Sequence, residues 1–147
     1  MYKMKNILIE KINKSYWWHV PPMDPLAYQK RGKFLASTYL QAEFYGRPNR
    51  YPEKVKISNP VFGFSEPEIL KILFGKDAET KILKEAIIKD NVYNKKWYEE
   101  RINLDAEMFQ KAKTLGYDAI VLICKSGKKS LIQNRKPRSI ELNLLRV

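Results

Sequence analysis

The sequence contains one cysteine and one histidine among its 147 residues. The single cysteine, Cys124, excludes an internal disulfide and any cysteine-rich zinc site. The single histidine, His19, argues against a classical metal site, so we predict no bound metal. Because Cys124 ends an apolar stretch, we expect its thiol to be an inert part of a buried strand rather than a nucleophile.

Long hydrophobic runs are also missing. The apolar stretch at residues 119–124 is far shorter than the ~20 residues of a membrane-spanning helix, and residues 1–10 lack the pattern of a signal peptide. A glycine-rich phosphate loop, a paired-histidine metal motif and a nucleophile elbow are absent too. No internal repeat or linker divides the chain. We therefore predict a single domain over residues 1–147, located in the cytoplasm and without a membrane partner.

Positive charge is in excess. The chain has 28 Lys and Arg against 16 Asp and Glu, a formal net charge of +12. Such an excess attracts polyanions, including nucleic acid, nucleotide phosphates or an acidic protein. A lysine-rich surface that only reflects the composition of the source organism is the competing interpretation, and both stay open at this point.

The first half of the chain predicts short strands that alternate with short helices. Aromatic, β-branched or alternating residues indicate three strands, at 14–20, 33–36 and 53–58. Two capping boxes indicate helix starts: Thr38 with Gln41, and Ser65 with Glu68.

The second half predicts two helices and then a group of strands. Apolar residues have helical spacing over 82–87 and over 104–112. Three strands follow, with a turn at Ser126-Gly127 between the first two: residues 118–124, 130–133 and 140–145. We therefore predict an α+β fold, with a mixed or antiparallel split sheet packed with helices.

One ordered series of segments resembles a known family. A strand ends in His19, a glycine-containing strand leads to Ser37-Thr38, and a helix has the step Ala-x-x-Tyr that ends in Tyr45. Residues 57–60 (Ile-Ser-Asn-Pro) and 112–120 (Ala-Lys-Thr-Leu-Gly-Tyr-Asp-Ala-Ile) follow. Over residues 16–124 the chain resembles ADP-ribosyltransferase-like domains, especially small ones of bacteriophages and mobile elements.

The resemblance implies NAD as cofactor and assigns roles to four residues. His19 would contact a ribose hydroxyl or the adenosine half, Ser37 and Thr38 the nicotinamide ribose, and the Tyr45 ring would stack on the nicotinamide. This hypothesis requires His19 and Tyr45 to line a common cleft. The simpler alternatives are a strand-end histidine, a helix cap at Thr38 and a core aromatic at Tyr45.

The chain departs from the family pattern at the catalytic acid. Members of the family usually have a carboxylate near the strand after the Gly-Tyr-Asp unit, but residues 123–130 contain none. Glu141, on the terminal strand, is our first choice for this acid, with Asp118 and Glu43 as substitutes. The predicted catalytic pair is therefore Glu141 with Tyr45, and a catalytically dead scaffold is the alternative.

A second group of residues consists of cations only. Six basic residues lie within fourteen positions, around a predicted hairpin and loop, and resemble a phosphate-contacting edge. They are Lys125, Lys128, Lys129, Arg135, Lys136 and Arg138. Four aromatic residues would add stacking surfaces if they reached the same face: Tyr16, Trp17, Tyr39 and Tyr51. A merely solvated basic loop is the alternative.

Two functional hypotheses follow. The first is an NAD-dependent ADP-ribosyltransferase-like protein that modifies a host macromolecule, protein or nucleic acid, as a phage or mobile-element effector. The second is a non-enzymatic basic module that binds nucleic acid or an acidic protein.

Overall fold

The computed structural model describes residues 2–90, 95–133 and 135–146. Within these ranges the chain forms six strands and seven α-helices, and no helix there is long and apolar enough to span a bilayer. The helices are α1 (Tyr2–Lys14), α2 (Ala27–Arg31), α3 (Tyr39–Glu43), α4 (Glu66–Phe74), α5 (Ala78–Asp90), α6 (Lys95–Thr114) and α7 (Lys125–Ile132). The strands are β1 (Tyr16–His19), β2 (Lys33–Ala36), β3 (Glu53–Lys54), β4 (Pro60–Gly63), β5 (Ala119–Ile123) and β6 (Ile140–Leu144).

All six strands belong to one sheet, in the order β3-β1-β2-β6-β5-β4. The β4–β5 pair is parallel, whereas every other pair is antiparallel. The terminal strand β6 therefore lies in the middle of the sheet, between β2 and β5. The predicted α+β class, with a mixed sheet packed with helices, is confirmed.

The two faces of the sheet are covered by different hydrophobic clusters. Alternate residues of a strand point to opposite faces. On the first face, Trp17 and Leu142 pack with Leu8 of α1 and Leu131 of α7. We call this the α1 face. On the second face, Ile120 of β5 packs with residues of α4 and α6, and we call it the α6 face.

Local sequence signals located many elements correctly. The strand at 33–36 is β2 with the predicted bounds, and the last strand is β6, Ile140–Leu144. Both capping residues accept the expected bond: the Thr38 hydroxyl from the Gln41 amide, and the Ser65 hydroxyl from the Glu68 amide. The segment at 53–58 is a strand only at Glu53–Lys54.

The predicted hairpin after β5 is wrong. Residues Lys125–Ile132 form helix α7, so there is no return strand at 130–133. The buried residues Gly127, Ser130 and Leu131 recur at helical spacing, and burying this face against the sheet outweighs the turn signal of Ser126-Gly127. Cys124 is exposed at the start of this helix, so the expected core position was also wrong. Helix α1 was not anticipated, although Leu8 and Ile12 have helical spacing and are buried.

Candidate functional site

Helix α3 lies on the α6 face, next to β1 and β2. It begins directly after β2 because Thr38 caps it, and its Ala42 is only 2% exposed. The Tyr39 ring meets the Trp18 ring edge-on, with 5.0 Å between ring centroids. This anchoring places the residues at the end of α3 over the middle of the sheet.

The central contact of the site joins Tyr45 to Glu141. The Tyr45 hydroxyl donates to Glu141 Oε1 at 2.6 Å, although the two residues are 96 positions apart in the chain. Glu141 lies on β6, where it pairs with Ala36 of β2 and with Leu122 of β5. The predicted catalytic pair is therefore brought together by the tertiary structure.

A shallow groove surrounds this contact and has a volume of about 440 Å³. This volume lies within the range typical of small-molecule sites. We call it the Tyr45–Glu141 groove, and its lining residues are Thr38, Leu40, Gln41, Phe44, Tyr45, Ser139 and Glu141. Phe44 is 80% exposed and Tyr45 63%, so both rings present surface to a ligand. Their planes meet at 81° with 5.3 Å between centroids.

The electrostatics of the groove keep Tyr45 protonated. Desolvation of the phenol, followed by the charge and the hydrogen bond of Glu141, raises the pKa of Tyr45. Loss of the phenolic proton would place a second negative charge within hydrogen-bond distance of the Glu141 carboxylate. Burial of the phenol makes that charge still less favourable. Tyr45 therefore acts as a donor that holds the Glu141 carboxylate in one orientation.

The two hydroxyl residues before α3 have different positions. Thr38 lines the groove while its oxygen caps the helix. The Ser37 hydroxyl donates to Gln41 Oε1 at 2.7 Å and accepts from the Ile140 amide at 3.2 Å. Ser37 therefore ties β2, α3 and β6 together behind the groove.

His19 is not part of the groove, so the expectation of a cleft shared with Tyr45 is wrong. His19 pairs with Leu35, and Leu35 pairs with Leu142, so these three side chains lie on one face of the sheet. Glu141 pairs with Ala36, and both are neighbours of that row in the chain, so they lie on the opposite face. His19 is 3% exposed, its Nδ1 lies 2.7 Å from the Phe34 carbonyl, and its Nε2 lies 2.8 Å from the Tyr28 hydroxyl. Both ring nitrogens are thus engaged within the protein.

The substitute acids are also separate from the groove. The Asp118 carboxylate accepts from the backbone amides of Ser58 and Asn59, at 2.7 and 2.9 Å, and so closes the turn before β4. Glu43 is exposed on α3 and does not line the groove. Among the three carboxylates that the sequence nominated, Glu141 alone lies in the groove.

Sequence reasoning missed Gln41, Phe44 and Ser139. Gln41 was assigned only to a capping box, but its side chain also lines the groove. Phe44 has an exposed ring next to Tyr45, and the signal available was an aromatic pair at the end of an amphipathic helix. No signal identified Ser139, which reaches the groove because β6 begins beside it.

Comparison with protein-family models, curated proteins and solved structures found no match. The function is therefore argued from the residues of this chain.

None of the six predicted cations lines the groove, although Ser139, the residue after Arg138, does. Lys125, Lys128 and Lys129 lie on α7, and the other three lie on the segment that leads to β6; all six are exposed. Helix α7 packs on the α1 face through Leu131, whereas the groove lies on the α6 face. The predicted cations therefore do not line the Tyr45–Glu141 groove.

Proposed function

We propose that the Tyr45–Glu141 groove binds NAD and that the protein is an ADP-ribosyltransferase-like enzyme. The observation that carries the proposal is the 2.6 Å contact between the Tyr45 hydroxyl and Glu141. The two residues were nominated from separate parts of the sequence as an aromatic platform and a catalytic acid.

Glu141 supports the proposal because of its place in the sheet. Glu141 lies directly across from Leu122 of β5. Strand β5 is the strand that follows the Gly-Tyr-Asp unit of residues 116–118. The acid missing from residues 123–130 is thus replaced by one from the neighbouring strand. Its proposed role is to accept a hydrogen bond from the nicotinamide ribose and to stabilise the positive charge that develops on the sugar.

The aromatic end of α3 supplies the second part of the proposal. The nicotinamide ring would lie against the exposed Tyr45 ring, with Phe44 beside it. Nicotinamide would leave with the electron pair of its bond to the ribose, and a nucleophile of the acceptor would form the new bond to the same carbon. In this arrangement Thr38 faces the ribose. The cleft shared by His19 and Tyr45, which the hypothesis based on the resemblance required, is not formed by the described residues, so the proposal rests on the Tyr45–Glu141 contact alone.

The acceptor in this proposal is a host macromolecule, protein or nucleic acid, as the resemblance to phage and mobile-element proteins implies. A catalytically dead scaffold would use the same groove but would bind NAD without releasing nicotinamide. The other alternative, a non-enzymatic basic module, depends on the separate surface at α7.

The test measures NAD binding by calorimetry and nicotinamide release by chromatography, with labelled NAD and cell extract as the source of acceptor. Glu141→Gln should retain binding and lower the release rate by about 10²–10³-fold, the usual effect of removing one preorganised group. Glu43→Gln, a carboxylate on the same helix end but outside the groove lining, serves as the matched control and should leave both unchanged.

Three outcomes separate the alternatives. Release that depends on Glu141 supports the enzyme. Binding without release in the unmodified protein supports the dead scaffold. If the protein neither binds NAD nor releases nicotinamide, the groove has another ligand and the proposal is refuted.

A further inference from the structure

Half of the net charge of the protein lies in one short segment. Residues 125–138 contain six basic residues and no acidic residue, and the whole chain has a net charge of +12. A charge excess that merely reflected composition would be spread more evenly along the chain. The segment therefore has a higher density of positive charge than the chain as a whole.

Helix α7 presents its three lysines on one face. Lys125, Lys128 and Lys129 are spaced i, i+3 and i+4, so they lie on the same side of the helix. Gly127 and Leu131 lie on the opposite side and are buried. The buried face attaches the helix to the sheet, so the lysines are held on a rigid element that faces outward.

The segment after α7 is fixed against this helix. The Arg135 amide donates to the Ser130 carbonyl at 2.9 Å, and the Arg138 amide lies 3.3 Å from the Ser130 hydroxyl. A Cβ on Gly127 would lie only 2.8 Å from the Arg138 carbonyl oxygen. The absence of a side chain at Gly127 therefore lets the three later cations lie close to the three on α7.

Helix α1 extends the basic surface. Lys11 Nζ donates to the Arg135 carbonyl at 2.7 Å, which joins α1 to the segment after α7. Lys5 and Lys14 lie on the same helix, and Glu10 is the one carboxylate of α1; Lys14 pairs with it at 2.6 Å. We call the cations of residues 125–138 together with Lys11 the α1/α7 surface.

The cations of residues 125–138 lack carboxylate partners, whereas several cations of α5 and α6 have them. On α5 and α6, Lys81 and Lys84 pair with Glu107, and Arg101 pairs with Asp105. None of the six cations of residues 125–138 forms an ion pair with another described residue. Their charge is thus not neutralised within the described parts of the protein, and a polyanion would find it available.

We propose that the α1/α7 surface binds nucleic acid through its phosphates, without sequence preference. Residues 125–139 contain no aromatic side chain, and the Phe64 ring, 5.1 Å from Lys128 Nζ, is half-buried, so these cations lack an exposed ring for base stacking. Trp17 is fully buried and offers no stacking surface. Protein partners are usually anchored by buried aromatic side chains, which this surface does not supply, whereas phosphates need only rows of cations.

The experiment measures the binding of a fluorescent 20-base-pair DNA duplex and a 20-nucleotide RNA by anisotropy, without NAD, from 50 to 300 mM NaCl. The triple variant Lys125→Gln, Lys128→Gln, Lys129→Gln should weaken binding at least about tenfold at low salt. On the duplex it should also lower the slope of log K against log salt by about three, roughly one for each lost phosphate contact.

The matched control is Lys30→Gln, Lys71→Gln, Lys76→Gln, which removes the same charge from exposed lysines of other elements. It should bind almost as well as the unmodified protein, and thermal melts should show that both triple variants fold.

Equal weakening by the two variants would overturn the proposal, because only the net charge would then matter. Binding of polyglutamate as tight as that of the nucleic acids would also overturn it, in favour of an acidic protein partner. Since NAD is absent, the result is independent of the groove.

Discussion

At the scale of single residues, the groove depends on one long-range contact, the hydrogen bond between Tyr45 and Glu141. Tyr45 is an exposed aromatic and Glu141 a strand residue, and both types are common on protein surfaces. The hydrogen bond between them orients the carboxylate, which is what a stabilising group for a developing cation requires. The Glu141→Gln experiment isolates this contribution because the amide retains the size of the side chain but not its charge.

His19 makes a testable contribution to stability instead of to catalysis. Burial lowers the pKa of His19, and the Phe34 carbonyl can only accept, so Nδ1 carries the proton and Nε2 accepts from Tyr28. The folded state thus binds a proton less readily than the unfolded state. This contribution to stability is fully present above about pH 6.5, the pKa of histidine in the unfolded chain. It is lost as pH falls through the lower pKa of His19 in the folded protein.

We therefore expect the free energy of unfolding to fall as pH drops below about 6.5, by at most about 1.4 kcal/mol per pH unit, the limit for one proton. Urea titrations at pH 7.5, 6.5 and 5.5 would measure it. The chain has no other histidine, so His19→Gln should remove most of the change in this range. An equally steep dependence in His19→Gln would show that other groups cause it.

At the scale of secondary-structure elements, α7 illustrates a conflict between local and tertiary preferences. Ser126-Gly127 has the composition of a turn, and three lysines nearby discourage a buried element. Nevertheless, Gly127, Ser130 and Leu131 form one buried face. Packing of this face against the sheet selects the helix, because most helical stability in proteins comes from an apolar face that is buried.

Gly127 is the residue on which the packing of α7 depends. An added Cβ would lie 2.8 Å from the Arg138 oxygen and 3.0 Å from the Ser139 oxygen, both of them backbone atoms. We expect Gly127→Ala to destabilise the protein by about 1–3 kcal/mol, because overpacking outweighs the ~1 kcal/mol that alanine gains in a helix. Denaturant unfolding would measure it, with Lys129→Ala as an exposed control on the same helix. A stabilised Gly127→Ala protein would contradict the close packing.

At the scale of the whole molecule, charge is distributed asymmetrically. The cations of α5 and α6 are largely paired with carboxylates, whereas those of residues 125–138 are not. Clustered like charges repel one another and lower the stability of the compact state, and this effect is screened by salt. The unpaired charge of residues 125–138 is therefore expected to lower the stability of the folded state.

We expect Lys125→Gln, Lys128→Gln, Lys129→Gln to raise the midpoint of thermal unfolding at 50 mM NaCl by about 2–4 °C, which corresponds to roughly 1 kcal/mol. The gain should shrink at 500 mM NaCl, where repulsion is already screened. Scanning calorimetry at the two salt concentrations would measure both. A loss of stability in the variant at both concentrations would mean that the lysines stabilise the fold.

Much of the fold followed from local patterns in the sequence. Residues 33–36 and 140–144 are apolar or alternate between apolar and polar side chains, as expected for strands in a packed sheet. Thr38 and Ser65 begin helices because their hydroxyls accept hydrogen bonds from free backbone amides. Such signals involve residues that are close together in the chain, so they can be recognised from the sequence without knowledge of the tertiary structure. Glu141 was nominated in the same way, from its place on a recognisable terminal strand.

Only the tertiary structure decided which of these residues meet. The order of strands puts β6 between β2 and β5, and the pairing register puts Glu141 on the α6 face and His19 on the α1 face. A shift of one residue would exchange the two faces. Register depends on the packing of both sheet faces at once, with contacts between residues as distant as Tyr45 and Glu141. The sequence therefore determined the elements and the charge of this protein, and long-range packing decided the composition of its groove.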